Sequence, residues 1–208
     1  MQVKVEALVV IIYGVYIFGG IYGILFRLDQ GLDKKSIVGV GSLVWKFYDA
    51  NDEIFYTYPY KIQVVIAEPL NYSNSSTRET IFQMLTKLEN VTHIGERSFT
   101  DFWLDSFLRR ISDPGDPLYG SDISTEPKFI MLLKKFLAES KNEAFVLDVK
   151  FSGDGPTEVI QASRLMLQAK DVKKTFEGAQ LMQELRKICD SAPFKMISYT
   201  ELDDLYDQ

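Results

Sequence analysis

Along this chain the apolar positions form one unbroken run and then a series of shorter, periodic stretches. The run is Ala7 to Phe26, ALVVIIYGVYIFGGIYGILF, twenty residues without a charge, bounded by Lys4 and Glu6 before it and Arg27 after it. As a helix it would rise about 30 Å, one hydrocarbon core, and the pattern predicts a transmembrane helix over residues 1–27 with a short cytosolic start. A cleaved secretory signal and a buried core helix are the competing readings. A signal has an apolar core of about 7–15 residues closed by small residues, whereas here Leu25, Phe26, Arg27 and Leu28 follow. Gly14, Gly19, Gly20 and Gly23 suit close packing against other membrane helices.

Beyond Arg27 the run LDQGLDKKSIVGVG, from Leu28 to Gly41, mixes glycine and charge and reads as an irregular exit. Residues 28–59 form a membrane-proximal segment. Within it Ser42 opens a short amphipathic helix in which Leu43, Val44, Phe47 and Ile54 share a face. Gly39-Val40-Gly41 is not a nucleotide loop, because no strand precedes it and no Lys-Ser/Thr follows.

Residues 60–208 read as the folded domain. YKIQVVIA, Tyr60 to Ala67, is a β-branched strand ended by Pro69. Ser76 and Glu79 are spaced as a capping box for a helix whose stripe is Ile81, Met84, Leu85 and Leu88. A weaker strand over Thr92 to Ser98 follows, then an apolar helix from Phe99 to Ile111, broken at Asp113-Pro-Gly-Asp-Pro117. Thr125 caps the next helix, which carries Phe129, Leu132, Leu133, Phe136 and Leu137 inward and Lys134 and Lys135 on a solvated face. Strands are expected at Ala144–Phe151 and Val159–Ala169, the latter bulged because its apolar positions do not alternate perfectly. A last helix, Thr175 to Cys189, turns Leu181, Met182, Leu185, Ile188 and Cys189 inward, and Phe194–Tyr199 closes as a strand.

This order implies an α+β fold: a ferredoxin-like, split βαβ two-layer sandwich with a helical insertion.

Composition changes the picture in two ways. The formal net charge of −6 argues against a nucleic-acid partner, which would need clustered Lys and Arg. A single cysteine, Cys189, excludes an internal disulfide framework. Orientation is contested by the charges themselves. Lys4 stands on one side of the apolar run and Arg27, Lys34 and Lys35 on the other, which would favour a cytosolic domain. Three N-x-Ser/Thr acceptors, Asn71, Asn74 and Asn90, argue instead for an extracellular or lumenal one. A plain polar turn over Asn71–Ser76 remains the alternative.

Candidate chemistry is thin. His93 is the only histidine, in an expected strand, with no nucleophile pattern around it. One His and one Cys give no metal-ligand spacing. Glu201, Asp203, Asp204 and Asp207 lack the glycine and alternation of a calcium loop and read as a solvated acidic tail. Cys189, on an apolar stripe, reads as a buried thiol. The expectation is no enzyme, no cofactor and no metal.

Five stretches carry a resemblance. KIQVVIAEPLNYSNSSTR at 61–78, THIGERSFTDFWL at 92–104, EVIQASRLMLQAKD at 158–171, GAQLMQELRKIC at 178–189 and the terminal YDQ at 206–208 together resemble the Patched-related proteins. These belong to the sterol-sensing and resistance-nodulation-division superfamily that also holds the Niemann-Pick type C cholesterol transporter. The resemblance implies a twelve-helix protein of two homologous halves, each with one helix, a ferredoxin-like ectodomain and five more helices. This chain is similar to the seventh helix plus the second ectodomain, with a cytosolic amino end, and the resemblance implies that a further membrane helix would follow a segment like Tyr206-Asp-Gln208. IVGVGSLVWKF replaces the family's more regular acidic-aromatic segment, and the cysteine pairs of Patched and Niemann-Pick relatives are absent. The implied role is sterol or lipid transport, or Hedgehog-like signalling, with this domain as one wall of an ectodomain lipid conduit. Implied partners are the lipid bilayer, a sterol or other lipid, and the homologous first ectodomain. The implied place is the plasma membrane or an endosomal or vesicular membrane. The alternative is a self-contained single-pass membrane glycoprotein acting as a binding module.

Overall fold

The computed structural model describes residues 2–27, 34–153 and 155–200. The acidic tail Glu201–Asp207, the terminal Tyr206-Asp-Gln208 and the first part of the irregular exit, Leu28–Asp33, lie outside the described residues.

The apolar run falls within helix α1, Gln2–Arg27. Its described side chains, Val9 to Ile24, are exposed, from 45% at Ile17 to 78% at Tyr16, with only Gly23 partly covered. Among the described residues no helix is long and apolar enough to cross a membrane. A one-turn helix α2, Lys34–Ile37, precedes α3, Leu43–Ile54. The α3 start is where the sequence places it: the Ser42 hydroxyl accepts from the Trp45 N–H at 3.1 Å, satisfying a donor that the first turn leaves free.

The sheet is four-stranded, with order β2-β3-β1-β4 and every pair antiparallel. β1 is Lys61–Ile66, β2 Val149–Ser152, β3 Val159–Gln168 and β4 Met196–Tyr199. Between β1 and β2 the chain forms α4 (Ser75–Glu89), α5 (Trp103–Ser112), α6 (Glu126–Leu137) and the single turn α7 (Glu143–Val146). β2 and β3 are joined directly, and α8 (Thr175–Asp190) links β3 to β4. β3 therefore lies between β1 and β2, and β1 lies between β3 and β4. Each helical crossover skips one strand.

Val64 stands opposite Leu165 on one side and Ser198 on the other, so the register puts Ile62, Val64 and Ile66 on the same buried face as Leu165 and Leu167. The expected bulge is present. Lys150 pairs with Ala162 and Phe151 with Ile160, which leaves Gln161 without a partner and re-phases β3.

Above this face Trp103, Phe107, Phe129 and Phe136 meet edge to face, with Phe107 and Phe129 centroids 5.2 Å apart, and Tyr72 lies tilted against Trp103 and stacked on Phe129. The stripes Ile81/Met84/Leu85/Leu88 and Phe129/Leu132/Leu133/Phe136/Leu137 are buried as their spacing predicts. On α8, Leu181, Met182, Leu185 and Cys189 are buried and Ile188 is half-buried.

Five local expectations are corrected. The α4 cap is Asn74, whose Oδ1 accepts from the Ser76 N–H at 3.0 Å; Ser76 already lies inside the first turn, so Ser76 and Glu79 form no capping box. Thr92–Ser98 is not a strand. Its β-branched content is overridden by a left-handed His93 (φ 71°), leaving a lone bridge, Ile94 to Ala169, and a short 3-10 turn over Arg97–Phe99. That turn delays α5 to Trp103. Ala144–Leu147 turns as helix and not as strand, and β2 begins only at Val149. Thr125 occupies the N-cap of α6 without a side-chain cap bond.

The segment joining α3 to the sheet is stitched to the end of β3. Asp171 N donates to Thr57 O and Ala169 N to Tyr60 O, both at 2.9 Å, and the Gln168 side chain adds a bond to Tyr60 O. Tyr58 stacks on Phe99 with centroids 4.6 Å apart.

Candidate functional site

His93 and Cys189, the two candidate groups among the described residues, are both built into the fold. His93 Nδ1 lies 3.2 Å from Lys170 O, and its own carbonyl accepts from Lys170 N, so the ring secures a strained turn. Cys189 is buried, and burial pushes its thiol up to about 11 against the opposing effect of the Ser198 hydroxyl; it stays protonated at neutral pH. Among the described residues no group of three or more His, Cys, Asp or Glu could hold a metal ion. A shallow cleft of about 370 Å³ beside β4 is lined by Glu68, Cys189, Asp190, Lys195 and their neighbours. The Glu68 carboxylate there accepts from the Lys195 backbone at 3.0 Å and ties two loops together.

Two ion-pair clusters brace the helical insertion. The Arg110 guanidinium donates to both Asp116 oxygens (2.6 and 3.0 Å) and to Glu139 (2.7 Å), with its carbon 5.6 Å from the centre of the Phe136 ring. These bonds raise Arg110 further and hold Asp116 and Glu139 below the usual carboxylate range. Arg97 similarly bridges Glu89 and Asp105. Lys134, exposed as expected, pairs with Glu158 and lies over Phe151. These clusters fasten α5 and α6.

The three acceptor asparagines are all exposed and flank one helix. Asn71 Oδ1 accepts from the Ser73 N–H and hydroxyl, at 3.0 and 2.6 Å, in a turn before α4. Asn74 caps that helix, and Asn90 ends it. In Asn71 and Asn74 it is the side-chain carbonyl oxygen that is engaged. Carbohydrate attaches through the amide nitrogen, so these structural roles and glycan attachment are chemically compatible.

Besides α1, two further apolar surfaces are open among the described residues. On the sheet face opposite the helices, Ile197 and Tyr199 of β4 are 47% and 46% exposed, beside Val65 and Gln63 of β1. On α3, Leu43, Val44, Phe47 and Ile54 fall within about 100° of arc, and all four are exposed, at 84%, 47%, 63% and 67%. The opposite side of α3 is the engaged one: Lys35 of α2 pairs with Asp49 at 3.1 Å and Asp52 at 3.0 Å, and those bonds raise its affinity for its proton. The sequence shows the face of α3 but not that its charged side would be the one in contact. No protein-family model matches the chain.

Proposed function

We propose that this chain is a membrane helix and ectodomain of a Patched-related, lipid-handling membrane protein of the sterol-sensing and resistance-nodulation-division superfamily. The observation that carries the reading is the strand order β2-β3-β1-β4 with two crossovers that each skip a strand. This order matches what the resemblance implies for a ferredoxin-like, split βαβ arrangement, and here it follows a helix that contains the twenty-residue uncharged run Ala7–Phe26.

Three further features support it. The uncharged run Ala7–Phe26 would rise about 30 Å, one hydrocarbon core, and the described aliphatic side chains of α1 are exposed. Exposure of Asn71, Asn74 and Asn90 suits an extracellular or lumenal domain. The open patch around Ile197 and Tyr199 offers a surface for the homologous first ectodomain, the two together walling an apolar path for a sterol or other lipid. The reading assigns no catalytic residue, metal or cofactor to this chain.

The test is the size of the native protein in membrane extracts, detected with an antibody against the α4 helix, before and after removal of N-glycans. The expected result is a carbonate-resistant band several times larger than this chain, falling on deglycosylation. A band of this chain's own size would replace the transporter reading with a single-pass binding module. A soluble protein would remove both.

A further inference from the structure

We infer that α3 is an in-plane lipid-binding helix, seated in the interfacial layer of a bilayer with Leu43, Val44, Phe47 and Ile54 toward the acyl chains. The inference rests on the reading of α1 as a membrane anchor.

Three observations point to lipid as the occupant. First, the helix is inverted relative to what a domain-packed helix does. Its acidic side is held within the chain by Lys35 on Asp49 and Asp52, which stay about half exposed, while its hydrocarbon side is left outward. Water is a poor partner for that arrangement, because exposed apolar side chains gain free energy on burial. Second, the open surface continues beyond the helix, through Val40 (87% exposed) and Ile37 (61%) before it and Phe55 (65%) after it. A groove on a protein partner is of limited length, whereas a bilayer accepts a ribbon of this kind along its whole run. Third, the helix lies along the chain between α1 and the sheet domain. It starts within sixteen residues of the end of α1, a reach of about 54 Å when fully extended. Three residues past its other end, Thr57 is already hydrogen-bonded to the sheet domain. With α1 in a bilayer, α3 is the chain segment that leads from the membrane to the domain.

The charge balance predicts the type of lipid. Lys34, Lys35 and Lys46 are matched by Asp49, Asp52 and Glu53, so the segment has no net attraction to anionic headgroups, and binding depends on apolar burial alone.

The experiment uses the full chain in phosphatidylcholine vesicles. An environment-sensitive fluorophore is attached through Phe47→Cys on the apolar face, Glu53→Cys on the polar side, or Ile17→Cys within α1. Native Cys189 is buried, and the parent chain serves as the labelling control. Quenching is read with lipids carrying a nitroxide near the headgroup or near the chain end. The expected result is Phe47 quenched at least about twofold more by the shallow nitroxide than by the deep one, Glu53 unquenched, and Ile17 quenched most by the deep one. The ratio at Phe47 should not change with salt. Ile17 quenched with Phe47 dark to both would overturn the inference and leave the anchor in place. Phe47 quenched with Ile17 untouched would remove the anchor but keep α3 on lipid. Loss of both signals would overturn both readings.

Discussion

The hydroxyls of Tyr72 and Ser163 lie 2.7 Å apart in the buried centre of the domain, joining the turn before α4 to the middle of β3. Tyr72 is 1% and Ser163 3% exposed, so neither can turn to water if the other is lost. Tyr72→Phe should therefore cost about 1–2 kcal/mol, and Ser163→Ala a similar amount. The double variant should cost less than the sum, because it leaves no orphaned hydroxyl. Urea denaturation of the single and double variants measures this coupling.

The same pair sets an alkaline limit. Burial pushes the Tyr72 hydroxyl up to about 12, with Ser163 opposing, and its ordinary value is 10.0. A group whose folded-state value is raised contributes stability that is complete below its unfolded value and lost as pH rises through the folded one. Stability should hold to about pH 9, where Cys189 begins to contribute a loss of the same sign, and fall by roughly 3 kcal/mol through Tyr72 between pH 10 and 12. Tyr72→Phe should abolish the second part of that fall, and Cys189→Ala the first, in chemical denaturation repeated across the pH range.

At the acid end the sign reverses. Arg110 holds Asp116 and Glu139 below the usual carboxylate range, so their contribution is present above their ordinary values and lost as pH falls through the lowered ones. Arg110→Ala should flatten the acid limb of the stability profile. Arg110→Lys keeps the charge but not the fork that spans both Asp116 oxygens, and should restore less than half of what Arg110→Ala loses.

Asn74 carries two separable roles. Asn74→Ala should destabilise by about 1 kcal/mol through loss of the α4 cap, whereas Asn74→Asp keeps the cap and removes the glycan acceptor. Ser76→Ala breaks the acceptor motif without touching the capping oxygen. In a cell line with an N-glycosylation pathway, Asn74→Asp and Ser76→Ala should give the same increase in gel mobility, with unfolding midpoints near that of the parent.

His93 holds a φ of 71°, which a β-branched side chain resists. His93→Val should lose about 2–3 kcal/mol, combining that strain with the lost bond to Lys170 O, while His93→Asn should lose under about 1 kcal/mol. Thermal unfolding of the two variants separates backbone strain from the lost bond.

Periodicity read the core well because burial imposes it. Ile81, Met84, Leu85 and Leu88 could only be a helix stripe, and Ile62, Val64 and Ile66 only a strand face. It failed where a single residue's backbone decided the outcome. Thr92–Ser98 has strand-like side chains, yet His93 turns left-handed and the strand is lost. Ala144–Leu147 has no turn residue to mark its helical turn. The α4 start was misplaced because Asn74 and Ser76 are both good caps, and only the backbone says which one faces the free N–H. For α3 the spacing fixes which residues share a face but is blind to what covers it, so the inward placement of its charges became visible only with Lys35 in place.

The bonds from Asp171, Ala169 and Gln168 to Thr57 and Tyr60 give the entering chain no slack. Tyr60 runs directly into β1 and Ala169 directly out of β3, the two inner strands. A body hung from an outer strand can swivel on its own; one gripped at its middle turns with its handle. Any roll of α3 about its axis would accordingly be delivered as torque to the centre of the sheet, making the sheet a lever whose short arm is α3.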